Sequence, residues 1–157
     1  MRPNVASFAE LDTRTLHDLL KLRCDVFVVE QQCPYPDIDG RDIDPDTSHL
    51  WFADETTGEP VAYLRIVREA DGTARIGRVC TAAKARGAGL AGRLMATALE
   101  LVGPEPECVL DAQSYLVDFY AGFGFAVAGP EYVEDGIPHT PMRRERSRRD
   151  HTAAPPD

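Results

Sequence analysis

The sequence predicts one domain of mixed α/β structure, with helices packed against a single sheet. Short apolar runs of strand length alternate along the chain with segments in which apolar residues recur at helical spacing. Asp71-Gly72 between two such runs is a strong hairpin signal, and a glycine-rich stretch at 86–92 joins a strand to a helix. The chain has 157 residues, 43% of them hydrophobic, which is enough for one domain with a sizeable core.

The first half of the chain predicts a helix and then a series of strands. After a short strand near residues 5–8, Asp12 or Thr13 can cap an amphipathic helix that ends before Cys33-Pro34. The buried face of this helix is predicted from Leu16, Leu19, Leu20, Arg23 and Phe27. Strands are predicted at 49–53, 60–67 and 74–81.

The second half of the chain predicts two helices and the remaining strands. A helix over 90–102 ends before Pro104 and Pro106. Ser114 can cap a second, short helix at 115–121. Strands are predicted at 108–112, 122–127 and 139–143. Residues 145–157 are charged, proline-rich and without apolar periodicity, so we expect a disordered tail after a domain at 1–144.

The composition disfavours several classes of function. A formal net charge of -9 argues against nucleic acid or an anionic membrane as a partner. No apolar run approaches a membrane span and no signal-peptide core follows Met1, so we expect a cytoplasmic location. The four cysteines lack paired CxxC spacing, which argues against a zinc site and a disulfide framework. The acidic stretch 37–46 does not fit a calcium loop either, so no metal is expected.

The most informative motif is Arg86-Gly-Ala-Gly-Leu-Ala-Gly92, at the start of the predicted helix. The first amides of a helix have no partner within it, and the helix dipole adds partial positive charge there. Glycines let an anion approach those amides, and the guanidinium of Arg86 can bind two phosphate oxygens. Arg93-Leu94 excludes a nucleotide P-loop, and the glycine spacing does not fit the dinucleotide pattern. Two interpretations remain, a phosphate site and a helix that simply starts after a flexible turn.

A second motif is the aromatic stretch Phe119-Tyr-Ala-Gly-Phe-Gly-Phe125. Taken alone, it is typical of core structure, in which a short helix ends at a glycine and leads into a strand. Its position in the sequence, after the glycine-rich motif, is more informative than its composition. The spacing Arg86-x-x-Gly89-x-Ala91, followed by Tyr120 before a Gly-Phe turn, resembles the GNAT superfamily of N-acetyltransferases.

Longer strings are similar to the ElaA-type branch of that superfamily, and the resemblance covers about residues 11–144. They are Phe27-Val-Val-Glu-Gln31, residues 33–40, Ile76-Gly-Arg-Val79, Phe119-Tyr120 with residues 123–125, and residues 134–139. The resemblance implies a GNAT fold with a central, mostly antiparallel twisted sheet flanked by helices. It implies acetyl-CoA as the donor, and a primary amine of a small molecule or an exposed protein amine as the acceptor. Ala88 stands where a basic residue is frequent, which predicts weaker cofactor binding.

The resemblance also implies roles for individual residues of the cofactor site. Val79, Cys80 and Thr81 should lie along the pantetheine arm, with one amide polarising the thioester carbonyl. Tyr120 should donate a proton to the leaving sulfur. The pyrophosphate should be held beside Arg86 by the backbone of Gly87, Ala88, Gly89, Leu90, Ala91 and Gly92. Nothing in the sequence supplies Cys80 with a neighbouring His and carboxylate, so we expect direct transfer to the amine.

The general base and the acceptor site are the least determined parts of the prediction. Glu30 is the first candidate for the base and His139 the second, ahead of His49, Glu131, Glu134 and Asp135. The acidic stretch is either a solvated turn or an acceptor site that attracts a cationic amine. The acceptor interpretation uses Asp37, Asp39 and Asp42, with His49. Two functions remain, an acyltransferase, as a monomer or a homodimer, and a non-catalytic acyl-CoA-binding or interaction module.

Overall fold

A computed structural model describes residues 1–146, and the tail residues from 147 onward lie outside the described range. Within this range the helices are α1 Thr13–Cys24, α2 Leu90–Val102 and α3 Val117–Ala121. The strands are β1 Asn4–Ala6, β2 Ser48–Ala53, β3 Pro60–Arg68, β4 Ala74–Thr81, β5 Cys108–Gln113, β6 Ala126–Val127, β7 Tyr132–Glu134 and β8 Ile137–Arg144. A π-helical turn at Asp25–Glu30 continues α1.

The strands form one sheet with the order β1-β2-β3-β4-β5-β8-β6, and β7 pairs with β8. Every pair is antiparallel except β4 and β5, which run parallel. A parallel pair needs a long crossover connection, which α2 provides here. The predicted mixed α/β domain with a mostly antiparallel sheet is therefore confirmed.

Helices pack on both faces of the sheet. As a result, β3 is buried on both sides. Successive residues of a strand point to opposite faces. Leu64 packs in a cluster that contains the buried side of α2, whereas its neighbour Tyr63 packs with Leu19 and Leu22 of α1. Asp12 caps α1 as predicted and accepts a hydrogen bond from the Thr15 amide at 2.7 Å. In residues 1–146, no helix combines the length and the apolar character that a membrane span requires.

Strands β4 and β5 separate soon after they meet. Their pairing covers only Ala74 with Cys108 and Arg75 with Val109. Beyond these two pairs the strands diverge toward their carboxyl ends. The parallel pair therefore opens a cleft in the middle of the sheet.

A β-bulge lies in the part of β4 that borders this cleft. Gly77 pairs with Arg65 of β3 and Cys80 pairs with Tyr63, so two residues of β4 oppose one residue of β3. The two residues are Arg78 and Val79. A bulge leaves the extra residue unpaired and bends its strand.

Three local predictions need correction. Ser114 does not cap α3, because its hydroxyl lies 2.9 Å from the Thr140 hydroxyl instead. The strand predicted at 122–127 is shortened to β6. The single last strand is a hairpin of β7 and β8, with positive φ at both Asp135 (51°) and Gly136 (78°) in its turn. Asp-Gly is the hairpin signal that correctly predicted the turn at residues 71–72, so the sequence also carried this one.

Candidate active site

The cleft between β4 and β5 opens into a cavity of about 910 Å³. Its walls bring together residues that are far apart in the sequence. The predicted site residues that line it are Glu30, Asp39, Val79, Cys80, Thr81, Arg86, Ala91, Tyr120, Glu134, Asp135 and His139. Most of the predicted catalytic candidates thus share one cavity with the end of β4, whereas His49 and Glu131 lie outside its lining. Among the described residues, no group of three or more His, Cys, Asp or Glu side chains could hold a metal ion.

The glycine-rich loop (residues 86–92) places the free amides of α2 beside this cavity. Gly87 and Gly89 have φ of 87° and 74°, a conformation that favours glycine. The first hydrogen bond of α2 runs from the Arg93 amide to the Gly89 carbonyl at 3.1 Å. Within residues 1–146, no backbone carbonyl accepts from the amides of residues 87–92. These amides and the helix dipole form an arrangement suited to an anion.

The side chain of Arg86 is bound to the protein rather than free for a phosphate. Its Nε donates to the Thr81 carbonyl at 3.1 Å, and its two terminal nitrogens bind the two carboxylate oxygens of Glu30, one of them at 2.6 Å. The pair ties the glycine-rich loop to the π-helical turn. In this arrangement the free amides, rather than the guanidinium of Arg86, are the groups available to an anion, and contact of Arg86 with phosphate stays a prediction.

Glu30 is a poor general base in this arrangement. The hydrogen bonds from Arg86 hold the pKa of Glu30 below its usual value, so its carboxylate has little tendency to take a proton. The ion pair occupies both oxygens of Glu30, which favours His139 over Glu30, and the identity of the base stays a prediction.

His139 has the geometry that Glu30 lacks. Its Nδ1 lies 2.8 Å from the Ile137 carbonyl, and a carbonyl oxygen only accepts, so Nδ1 carries the proton. The lone pair of the neutral ring is then on Nε2. The ring stacks on Tyr132 with centroids 5.7 Å apart and an interplanar angle of 19°. His139 is therefore held at the cavity in a defined tautomer with a basic nitrogen available.

Tyr120 is fixed in the cavity wall by its aromatic neighbours. It is 6% exposed, and its ring meets Phe119 and Phe125 edge-on at 5.0 and 6.4 Å. None of the described residues hydrogen-bonds to its hydroxyl. Burial raises the pKa of Tyr120 well above its usual value, so the phenol stays protonated and can act as a donor.

Cys80 lines the same cavity but lacks the features of a nucleophile. Burial raises the pKa of its thiol to about 12, and the thiolate is the reactive form. No His or carboxylate among the described residues hydrogen-bonds to it. Cys80 therefore behaves as a small apolar residue of the wall.

Asp37 and Asp42 lie behind the cavity wall, in a buried ion network around Arg23. Arg23 is 1% exposed; its Nε donates to Asp37 Oδ2 at 3.0 Å and one terminal nitrogen to Asp42 Oδ1 at 2.6 Å. Arg65 donates to the same oxygen of Asp42 at 2.9 Å. Burial alone raises the pKa of Asp42, but the hydrogen bonds and attraction from these arginines outweigh it, and the pKa lies below its usual value.

This network corrects both predictions at Asp37 and Asp42, whereas Asp39 and Asp46 of the same stretch are exposed. Asp37 and Asp42 are neither a solvated turn nor free to attract an amine, because each is buried and neutralised. His49 is also structural: Nε2 lies 2.9 Å from the Asp42 carbonyl and Nδ1 2.6 Å from the Tyr63 hydroxyl. Burial lowers the pKa of His49, which keeps the ring neutral. Of the predicted acceptor residues, only Asp39 borders the cavity.

The arginine partners were not predicted, although the sequence contained a signal for them. Arg23 stands on the apolar side of the predicted helix, and Arg65 interrupts an apolar strand run. A buried guanidinium needs a carboxylate partner, and the stretch 37–46 is unusually rich in Asp. The combination of buried arginines and an acidic segment predicts an ion network.

Comparisons with known proteins agree on one family. A sequence model of the acetyltransferase (GNAT) domain matches residues 24–146. A UPF0039 protein of Mycobacterium tuberculosis is 50% identical over 141 residues, covering 88% of this chain and 89% of that protein. Protein ElaA of Escherichia coli is 44% identical over 144 residues, covering 87% and 92%. The crystal structure of an acyl-CoA N-acyltransferase from Pseudomonas aeruginosa matches with a TM-score of 0.85 and 38% identity, covering 92% and 100%.

Proposed function

The chain belongs to the GNAT acetyltransferase family, and we propose that it transfers an acetyl group from acetyl-CoA directly to a primary amine of a small molecule or an exposed protein. The observation that supports this most strongly is the position of Tyr120. This buried, protonated phenol lines the same cavity as the end of β4 and the first turn of α2. Acyl transfer from a thioester needs a proton donor for the leaving sulfur, a site for the anionic part of the donor and a backbone that can orient the acyl group. One cavity here contains groups suited to all three.

The residues of the cavity fit acetyl-CoA. The amides of residues 87–92 lack backbone partners in the described chain and suit the pyrophosphate. The backbone of Val79, Cys80 and Thr81 lies unpaired with β5 and can receive an extended pantetheine arm. Acetyl-CoA supplies the acetyl group as an activated thioester when it is bound. The residues of this chain then orient the acyl carbonyl and move two protons.

The two proton-transfer roles fall to His139 and Tyr120. An ammonium group has no lone pair, so the acceptor must lose a proton before it attacks. Nε2 of His139 takes that proton, directly or through a water, because Nδ1–H is held by the Ile137 carbonyl. The Tyr120 hydroxyl gives a proton to the departing sulfur, since its raised pKa keeps it protonated.

Replacing Gly89 by Glu should weaken acetyl-CoA binding by at least about tenfold, or about 1.4 kcal/mol. The new carboxylate places negative charge beside the amides that hold the pyrophosphate. Calorimetric titration of acetyl-CoA into the folded variant measures the effect.

Gly58→Glu is the matched control for this measurement. Gly58 has φ of 75°, close to the 74° of Gly89, and an added Cβ meets no atom within 4 Å at either position. The backbone strain of the two variants is therefore alike. Gly58 lies in the turn between β2 and β3, outside the cavity lining. Equal affinities for the two variants would show that the glycine-rich loop is not the anion site.

His139→Gln should lower kcat by at least about tenfold, whereas Glu30→Gln should leave kcat within about threefold. Glutamine keeps the size of either side chain but cannot take a proton at neutral pH. Release of free thiol from acetyl-CoA in the presence of an accepted amine measures kcat. The assignment of the base would be reversed by a large fall in the Glu30 variant and none in the His139 variant.

A further inference from the structure

The bulge of β4 is built on a strained residue. Among residues 1–146, the non-glycine residues with positive φ are Gln32, Arg78 and Asp135. Gln32 and Asp135 lie in turns, whereas Arg78, with φ of 54°, lies within a strand. A residue with a Cβ is less stable in this conformation than glycine, because its Cβ crowds the backbone. The conformation persists only where surrounding contacts hold it.

The side chain of Arg78 provides those contacts. Its Nε lies 3.1 Å from Asp37 Oδ1, and a terminal nitrogen donates to the Asp37 carbonyl at 3.1 Å. The same nitrogen lies 3.4 Å from Asp39 Oδ2, and the guanidinium sits 5.4 Å from the centre of the Tyr35 ring. Asp37 is 3% exposed and is held in turn by Arg23 of α1. The strained backbone of β4 is thus tied to the buried ion network.

The bulge sets the backbone direction at the part of β4 that borders the cavity. Because two residues of β4 lie opposite one residue of β3, the pairing with β3 resumes at Cys80. Val79, next to Arg78, lines the cavity. A residue in a bulge is unpaired, so its amide is available to a ligand. If the bulge relaxed, the pairing of β4 with β3 would shift by one residue from Val79 to the end of β4. Each side chain in that segment would then point to the opposite face of the sheet.

We propose that Arg78 is a positioning residue for acyl transfer, whose side chain, held by Asp37 and Asp39, fixes the β4 bulge and with it the backbone donor that faces the acyl carbonyl. The inference rests on the proposed function, because the donor acts only if a thioester occupies the cavity. It gives the acidic segment a role in catalysis through Arg78 rather than through contact with the acceptor. The glycine-rich loop, which holds the pyrophosphate, does not depend on this tether.

Two substitutions at Arg78 test whether catalysis depends on the backbone conformation of residue 78 or on the charge of its side chain. Arg78→Gly removes the side chain but accepts positive φ without strain, so the bulge persists. Arg78→Ala removes the side chain and keeps a Cβ, so the bulge relaxes. We expect kcat to fall by at least about tenfold in the alanine variant and by clearly less in the glycine variant, which retains the bulge. The Kd of acetyl-CoA, measured by calorimetry, should be unchanged in both. If the alanine variant does not fold, Arg78→Lys replaces it, because an ammonium cannot span both Asp37 and Asp39.

Crystal structures of the variants give a readout that does not depend on turnover. Positive φ at residue 78 in the glycine variant and negative φ in the alanine variant would support the tether. Equal kcat in the glycine and alanine variants would overturn the proposal, whether both match wild type or both fall. An alanine variant that retains the bulge would overturn it as well. Absence of turnover by the wild-type protein would instead count against the proposed function, and the φ values would still decide whether Arg78 holds the bulge.

Discussion

Replacing Tyr120 by Phe should lower kcat roughly 10²-fold while the Kd for acetyl-CoA stays unchanged. In the proposed reaction the departing sulfur carries negative charge beside Tyr120, and a proton from the hydroxyl stabilises it. Phenylalanine keeps the ring that packs on Phe119 and Phe125 and removes only the hydroxyl. Because no described residue hydrogen-bonds to that hydroxyl, its loss leaves no buried partner unsatisfied. The free energy of unfolding should therefore hardly change.

Tyr115→Phe provides the matched control for this experiment. Tyr115 also lines the cavity but is 78% exposed, so its hydroxyl is well solvated. We expect the Phe variant at this position to turn over like wild type. Steady-state kinetics should be paired with thermal unfolding for both variants. Full activity in a folded Tyr120→Phe protein would remove Tyr120 from the mechanism.

Replacing Arg23 by Met should lower the free energy of unfolding by about 3–5 kcal/mol. The methionine fills part of the same volume, but Asp37 and Asp42 each lose one of two arginine partners and remain charged in the interior. For a chain of this size the melting temperature should fall on the order of 10 °C. Lys21→Met, on the same helix, is the control, because the Lys21–Asp25 pair is exposed and hardly stabilises. Equal melting temperatures for the two variants would contradict the structural role of the network.

Low pH should weaken the same ion network and lower the free energy of unfolding. Burial raises the pKa values of Asp39 and Asp42, but hydrogen bonds from Arg65, and for Asp42 also from Arg23, outweigh it, so both pKa values are lowered in the folded protein. Their contribution to stability is therefore present above about pH 4, the unfolded value, and is lost as pH falls through the folded values. The Arg23→Met protein should show a flatter acid limb than wild type in the unfolding free energy. An unchanged acid limb would show that Asp42 does not depend on Arg23.

Local patterns predicted most of the elements of the fold, because these could be inferred from their own residues. The bounds of α2 were predicted at 90–102, because the glycine-rich loop marks its start and prolines follow its end. The hairpin at 71–72 followed from a two-residue turn in the same way. These signals need no knowledge of which segments meet in space.

The electrostatic contacts of the site could not be predicted in this way. Arg86 and Glu30 are 56 positions apart, and nothing local indicates that they pair. Arg78 reaches an acidic stretch about forty positions earlier only because the sheet brings β4 beside it. Sequence periodicity indicates which side chains are buried, but the three-dimensional fold determines which charged residues form ion pairs.

The most direct test of the proposed function is the transfer of label from acetyl-labelled acetyl-CoA to an amine. Wild-type protein should be incubated with a panel of small amines and a peptide that carries exposed amines, and the labelled product should be separated and identified. The account predicts an N-acetylated amine formed in equal amount to the free CoA thiol, with both strongly reduced in Tyr120→Phe. Tight binding of acetyl-CoA with no labelled amine across the whole panel would contradict it and favour a non-catalytic acyl-CoA-binding module.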